Sequence, residues 1–283
     1  MENAVAVQPP GRARTATVVA VGPSDRLGDV AEVLGGGENA GALHLVRIAV
    51  DGDGATLPAD RPDVITIGGL RPEYVNNAIA GVRLSSLPTI VWWRGGRPEG
   101  LDGVASLADR VVLDADDPWP LWALTPPLFE HTVLTDIRWA RLTRWRAALA
   151  HFFDMPAVRE ISTTFSGLSI AAADRAVAAL FAGWLDAAFG WRGRIVPEVT
   201  DAASGAPIES MRLEGPSCRI ELCILPNSTC LSTEGKVGSD LVASRVVSLG
   251  NQTLSTLLAE ELRVRSRDIA FERAVQSALT ARG

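Results

Sequence analysis

Five apolar runs before residue 115, each shorter than a helix needs, constrain the fold of this chain more than any other feature. Thr15–Val21 is rich in β-branched residues and stops at Gly22-Pro23, as a strand does. Leu43–Val50 ends at Asp51-Gly52-Asp53-Gly54 and Val64–Ile67 at Gly68-Gly69; Thr89–Trp93 and Arg110–Asp114 complete the set. Between the first two runs, Ser24 or Asp25 can cap a helix through Leu27, Val30, Ala31 and Leu34 that Gly35-Gly36-Gly37 closes. Tyr74–Ala80 reads as another helix. Strands alternating with helices predict βα units about a mainly parallel sheet, an α/β domain over residues 15–132. Residues 1–14, polar and proline-bearing, are expected to form a flexible tail.

The second half changes character. Asp117–Phe129 is a helical segment that Pro126-Pro127 is expected to break, and Val158–Phe165 alternates as a strand. Ala171–Phe189 reads as a strong helix. Strands are predicted at Arg194–Val199, Glu209–Leu213, Cys218–Leu225, Thr229–Thr233 and Val242–Leu249, then helices at Thr253–Leu262 and Asp268–Ala281. Short turns between the strands imply an antiparallel meander, so residues 133–283 are expected to form an α+β domain.

Composition and charge exclude several classes. With 47% hydrophobic and 21% charged residues the chain has the means to bury a core. A net charge of −6 argues against a general nucleic-acid binder, which needs a basic surface to displace counterions. No run approaches the ~18 apolar residues of a membrane span. The N-terminus lacks the charged start and apolar centre of a signal peptide, so a cytoplasmic location is expected.

Catalytic signatures are equally sparse. His44, His131 and His151 are far apart, Lys236 is the only lysine and sits in no phosphate loop, and no GxSxG, HExxH, CxxC, GxGxxG or GK[ST] motif occurs. Asp114, Asp116 and Asp117 cluster as loop acids do, and neither a metal nor a cofactor is expected. Cys218, Cys223 and Cys230 make an odd count. A hairpin symmetric about Pro226-Asn227 sets Cys223 opposite Cys230, a possible redox pair; buried free thiols are the plainer reading.

Leu134–Asp154 is the densest stretch of large side chains. Trp139, Leu142, Trp145, Leu149 and Phe152 or Phe153 recur in steps of three and four, predicting one amphipathic helix capped by Asp136 and ended before Pro156. Arg138, Arg141, Arg144 and Arg146 fall on its other face. Upstream, Leu87-Pro88-Thr89-Ile90-Val91-Trp92-Trp93-Arg94 reads as a buried strand ending in two indoles. Because ligands of open α/β sheets sit beyond the carboxyl ends of strands, Trp93 and Arg94 face either a crevice or a partner, or only close the core.

Four segments in order resemble the glucose-6-phosphate dehydrogenase assembly protein family, OpcA. They are Leu-Pro-x-x-x-Trp-Trp at 87–93, Leu107-Ala108-Asp109-Arg110 with Asp114, Leu134-Thr135-Asp136-Ile137-Arg138-Trp139-x-Arg141-Leu142-Thr143-x-Trp145-Arg146 with Phe153-Asp154, and Leu257-Leu258-Ala259-Glu260-Glu261-Leu262-Arg263. The start departs from the family pattern, since Ala42–Arg47 lacks the family's His-Pro-Ser-Arg segment. The resemblance implies a non-catalytic factor that promotes assembly or activation of glucose-6-phosphate dehydrogenase, the NADP-reducing first enzyme of the oxidative pentose phosphate pathway. Tryptophan and arginine most often anchor interfaces. Trp93, Arg94, Arg138, Arg141 and Arg144 are therefore the expected partner contacts, with Trp139 and Trp145 holding the helix down. The other reading is an enzyme or sensor taking a phosphorylated sugar or nucleotide in the first domain's crevice, with Arg94 and the helix arginines on the anion.

Overall fold

The computed structural model describes residues 13–35, 42–50, 64–95, 97–264 and 266–282. The expected tail up to residue 12, Gly36 and Gly37, and the stop at 51–54 lie outside the described residues. The chain forms two compact units, Met1–Asp117 with Glu130–Leu134, and Pro118–Phe129 with Thr135–Gly283.

In the first unit the elements run β1 (Ala16–Gly22), α1 (Val30–Gly35), β2 (Leu43–Ala49), β3 (Val64–Ile67), α2 (Val75–Val82), β4 (Thr89–Trp93), α3 (Leu101–Ala105) and β5 (Arg110–Leu113). Next come α4 (Trp119–Leu128), which belongs to the second unit, and β6 (Val133–Asp136). The sheet order is β3-β2-β1-β4-β5-β6, and β1 through β5 pair in parallel. Every residue of β1, β4 and β5 is buried, as strands covered on both faces require. The direction of connection reverses between β1 and β4, so the fold's ligand crevice lies beyond their carboxyl ends. There Gly22 is obligatory, because a Cβ on it would stand 2.1 Å from the Arg94 carbonyl oxygen.

The second unit continues with α5 (Ile137–Arg141), α6 (Thr143–Phe153), α7 (Pro156–Ile161), β7 (Gly167–Ala171), α8 (Arg175–Phe189) and β8 (Glu198–Thr200). It closes with β9 (Ser210–Gly215), β10 (Cys218–Ile224), β11 (Cys230–Val237), β12 (Asp240–Ser248), α9 (Leu254–Arg263) and α10 (Ile269–Arg282). Its mixed sheet has the order β12-β11-β10-β9-β7-β8. β9 to β12 pair antiparallel in succession, whereas β7 and β8 are parallel. α8 and α10 pack so closely that a Cβ on Gly183 would meet the Ala274 carbonyl oxygen at 2.3 Å.

Several local readings are corrected. Val158–Phe165 is no strand: Met155 is extended and Pro156 takes the first helical position, where its missing N–H costs nothing, so α7 starts there and a strand forms only at β7. The predicted strand at 194–199 is reduced to Glu198–Thr200. Pro126 and Pro127 lie inside α4 rather than breaking it. The Trp122 carbonyl, which Pro126 cannot serve, accepts the Thr125 hydroxyl at 2.9 Å instead. The segment from Leu134 is not one helix, since its first residues belong to β6. Leu142 then turns tightly between α5 and α6, its N–H shared by the Arg138 and Trp139 carbonyls at 3.2 and 3.1 Å.

Candidate functional site

Asp136 caps α5 as its position requires: its backbone is extended and its carboxylate accepts the Arg138 N–H at 2.8 Å. Its other oxygen accepts Trp122 Nε1–H at 2.9 Å, and the carboxylate is completely buried. The side chains of Arg138 and Trp139 reach other caps. Arg138 Nε donates to Asp174 Oδ2 at 2.7 Å, while Asp174 Oδ1 accepts from Ala176 and Val177 at the start of α8. Trp139 Nε1 donates to Asp268 Oδ2 at 2.7 Å, while Asp268 Oδ1 accepts from Ala270 and Phe271 at the start of α10. Three helix starts are thus joined through one short helix.

Arg146 completes this hub. Its guanidinium lies 3.6 Å from the centroid of the Trp139 ring. Burial lowers its pKa to about 10, a shift that the charges of Asp268 and Glu261 only partly oppose. The arginines expected to face outward are therefore divided. Arg138, 8% exposed, is corrected from surface contact to buried tie. Arg141 is half-buried, Arg144 is exposed. Arg141 lines a cavity of about 230 Å³ with Trp145, Pro207, Ile208, Leu249 and Asn251, and donates to the Gln252 carbonyl at 3.4 Å. Trp139 and Trp145 are buried as expected of residues that hold the segment down.

At the carboxyl end of β4 the charged side chains pair with one another. Arg94 pairs with Asp29, lies 3.3 Å from Asp114 through Nε, and sits 4.2 Å from the centroid of the Trp92 ring. Trp92 Nε1 donates to Asp114 Oδ2 at 3.1 Å. Arg26 pairs with Asp116, a hydrogen bond that raises its pKa against the opposing cost of burial. Trp93 and Arg94, 1% and 5% exposed, are corrected from expected partner contacts to interior groups, because both strand faces are covered and the charge already has two carboxylates. Asp114 and Asp116, read as solvating acids, are the counter-charges that hold these arginines.

The expected cysteine pair is corrected by register. Cys223 lies opposite Ser232, and the Cys230 carbonyl accepts the Leu225 N–H at 2.9 Å. Asn227 takes the left-handed conformation at φ 52°, centring the turn later than a hairpin symmetric about Pro226-Asn227. Cys223 and Cys230 become diagonal neighbours, at a spacing of about 7–8 Å where a disulfide needs Cβ atoms about 4 Å apart. All three cysteines are free. Burial pushes the Cys218 and Cys223 thiols up, the latter helped by Glu221 and Glu234, which keeps them in the unreactive protonated form. Among the described residues no cluster of His, Cys, Asp and Glu could hold a metal ion, and no helix is long and apolar enough to cross a membrane.

The family model for the C-terminal domain of the glucose-6-phosphate dehydrogenase subunit matches residues 132–275. The chain belongs to that family. The match covers β6 through the first half of α10 and therefore the Asp136–Trp139 hub and both caps tied to it. No curated protein matches the sequence. In structure the chain is similar to KijD10, a 3-ketoreductase from Actinomadura kijaniata solved with NADP and TDP-benzene, at 10% identity and a TM-score of 0.55, covering 95% of this chain and 96% of that one. It is also similar to an aldose-aldose oxidoreductase from Caulobacter crescentus, solved with glycerol, at 11% identity and a TM-score of 0.50, covering 95% and 97%. At such identities the likeness is one of fold, a parallel α/β unit followed by a mixed-sheet unit.

Sequence reasoning missed Asp174 and Asp268 as partners of the family segment. Both carry a readable signal, an aspartate just before a helical run, but nothing local says which distant side chain the second carboxylate oxygen takes.

Proposed function

We propose that this chain is a non-catalytic accessory subunit that promotes assembly or activation of glucose-6-phosphate dehydrogenase, acting with it in the cytoplasm. The observation that carries the reading is the family match over residues 132–275. Activation of this kind requires that the accessory chain bind the active form of the enzyme better than the inactive one, and the gain is limited by that difference. The first-unit crevice supports the same reading: Arg94, the residue a phosphorylated ligand would need there, is held by Asp29 and Asp114 and stacked on Trp92.

With Trp93, Arg94 and Arg138 drawn inside, Arg141 and Arg144 are the contacts we assign to the dehydrogenase. Titrating purified chain into its cognate dehydrogenase should raise turnover or shift oligomer mass, with no turnover by the chain alone. The R141A/R144A double variant should weaken that effect about tenfold or more, as loss of arginine anchors does. Sugar-phosphate turnover by the chain itself, or a dehydrogenase unchanged in mass and rate, would sink the proposal; full activation by the double variant would remove these arginines from the contact.

A further inference from the structure

The second unit holds a larger cavity that the accessory role does not use. It has a volume of about 380 Å³, within the range of small-ligand sites, and lies between α8, α10 and the loop after α8. Small residues carve its floor: Ala179, Ala182, Gly183, Ala278 and Ala281. Trp119, Ile195 and Pro197 supply apolar walls.

Its charges are arranged unequally. Asp186, the one carboxylate in the lining, has both oxygens occupied: Oδ1 accepts the Gly193 N–H and Oδ2 the Ser277 hydroxyl, each at 2.8 Å. Those bonds fix the loop to α8 and α10, so the site is formed in advance. Arg192 and Arg282 stand at the rim, both exposed, and neither is paired with a carboxylate among the described residues. Arg282 is instead held 4.3 Å from the centroid of the Trp119 ring, and Arg192 follows Trp191 in a left-handed turn at φ 55°. In a chain of net charge −6, two guanidinium groups left without a carboxylate beside an apolar hollow call for an anion supplied from outside.

We infer that this cavity is a binding site for a small amphiphilic anion, a flat or aliphatic apolar body carrying one phosphate, sulfonate or carboxylate. The body lies on the alanine floor against Trp119, and the anionic group meets Arg192 and Arg282. A sugar phosphate is the wrong class, since its hydroxyls would lose water against a floor of methyl groups while the polar lining groups Asp186, Ser277 and Thr280 are already engaged with the protein. The site is separate from Arg141 and Arg144, so its test does not depend on the dehydrogenase.

Isothermal titration of the full chain with 1-naphthyl phosphate tests the assignment, with 1-naphthol and glucose 6-phosphate as comparisons. Saturable one-site binding is expected for naphthyl phosphate, with both comparisons weaker by about tenfold or more, the usual worth of a charge-assisted pair. R192Q/R282Q should weaken it by a similar factor. A281W, at an exposed lining position, should abolish it by filling the hollow while leaving the unfolding midpoint unchanged. The inference is overturned by no one-site binding, by equal affinity for naphthol or glucose 6-phosphate, or by binding that survives either variant.

Discussion

The two units use the same three residue types to opposite ends. In the first, Arg94 lies over Trp92 and between Asp29 and Asp114 at the mouth of the crevice. In the second, Arg146 lies over Trp139, whose N–H holds Asp268, while Arg138 holds Asp174. The difference is what the carboxylates do besides meeting arginine. Asp136, Asp174 and Asp268 each cap a helix, so every bond to them also fixes where a helix begins. Asp29 is 45% exposed and spends both carboxylate oxygens on Arg94, which without it keeps Asp114 as a second carboxylate. An arginine–tryptophan–aspartate cluster therefore organises a fold only where its acids are also caps.

The sharpest break of this comparison is D136A. It removes a fully buried carboxylate from Trp122, from the Arg138 amide and from the start of α5. We expect a loss of about 3–5 kcal/mol in chemical denaturation, the usual cost of orphaning a buried charged partner. A loss below about 1 kcal/mol would show that the hub does not organise the unit.

Arg146 gives a pH-resolved test. Its folded pKa of about 10 lies well below that of the free guanidinium, so above pH 10 the unfolded chain binds more protons at this site and stability rises with pH. Relative to R146M, which removes the titration and keeps an apolar body over Trp139, the native chain should gain about 1 kcal/mol between pH 9 and pH 11, given ~1.4 kcal/mol for each tenfold difference in proton affinity. A stability difference constant across that interval would contradict the burial of this charge. The smallest effect is expected in the first unit, where D29N leaves the buried Arg94 its contact with Asp114 and should cost about 1 kcal/mol. If D29N matched D136A in cost, the contrast between capping and non-capping acids would fail.

Arg138 shows why the candidate site was only half legible. Spacing alone set Arg138, Arg141, Arg144 and Arg146 on one polar face, but that face exists only for an unbroken helix. The turn at Leu142 rotates α5 against α6, and Arg138 finds Asp174 at a separation of 36 residues. The cysteine pairing failed for a related reason: with a side-chain period of two, shifting a turn's centre changes which residues face each other across it.

What the chain alone determined were features with short-range causes. The apolar runs became β1 to β5, α8 and α10 formed near their predicted bounds, and Asp136 capped its helix, because periodicity, glycine stops and caps act over a few residues. Only the tertiary structure decided that Trp139 would meet Asp268 at a separation of 129 residues, that Arg94 would be claimed by acids from other elements, and that Arg192 and Arg282 would converge on a hollow. Charges and indole N–H groups select partners by whatever packing brings within about 3 Å, and that choice is written in no local pattern.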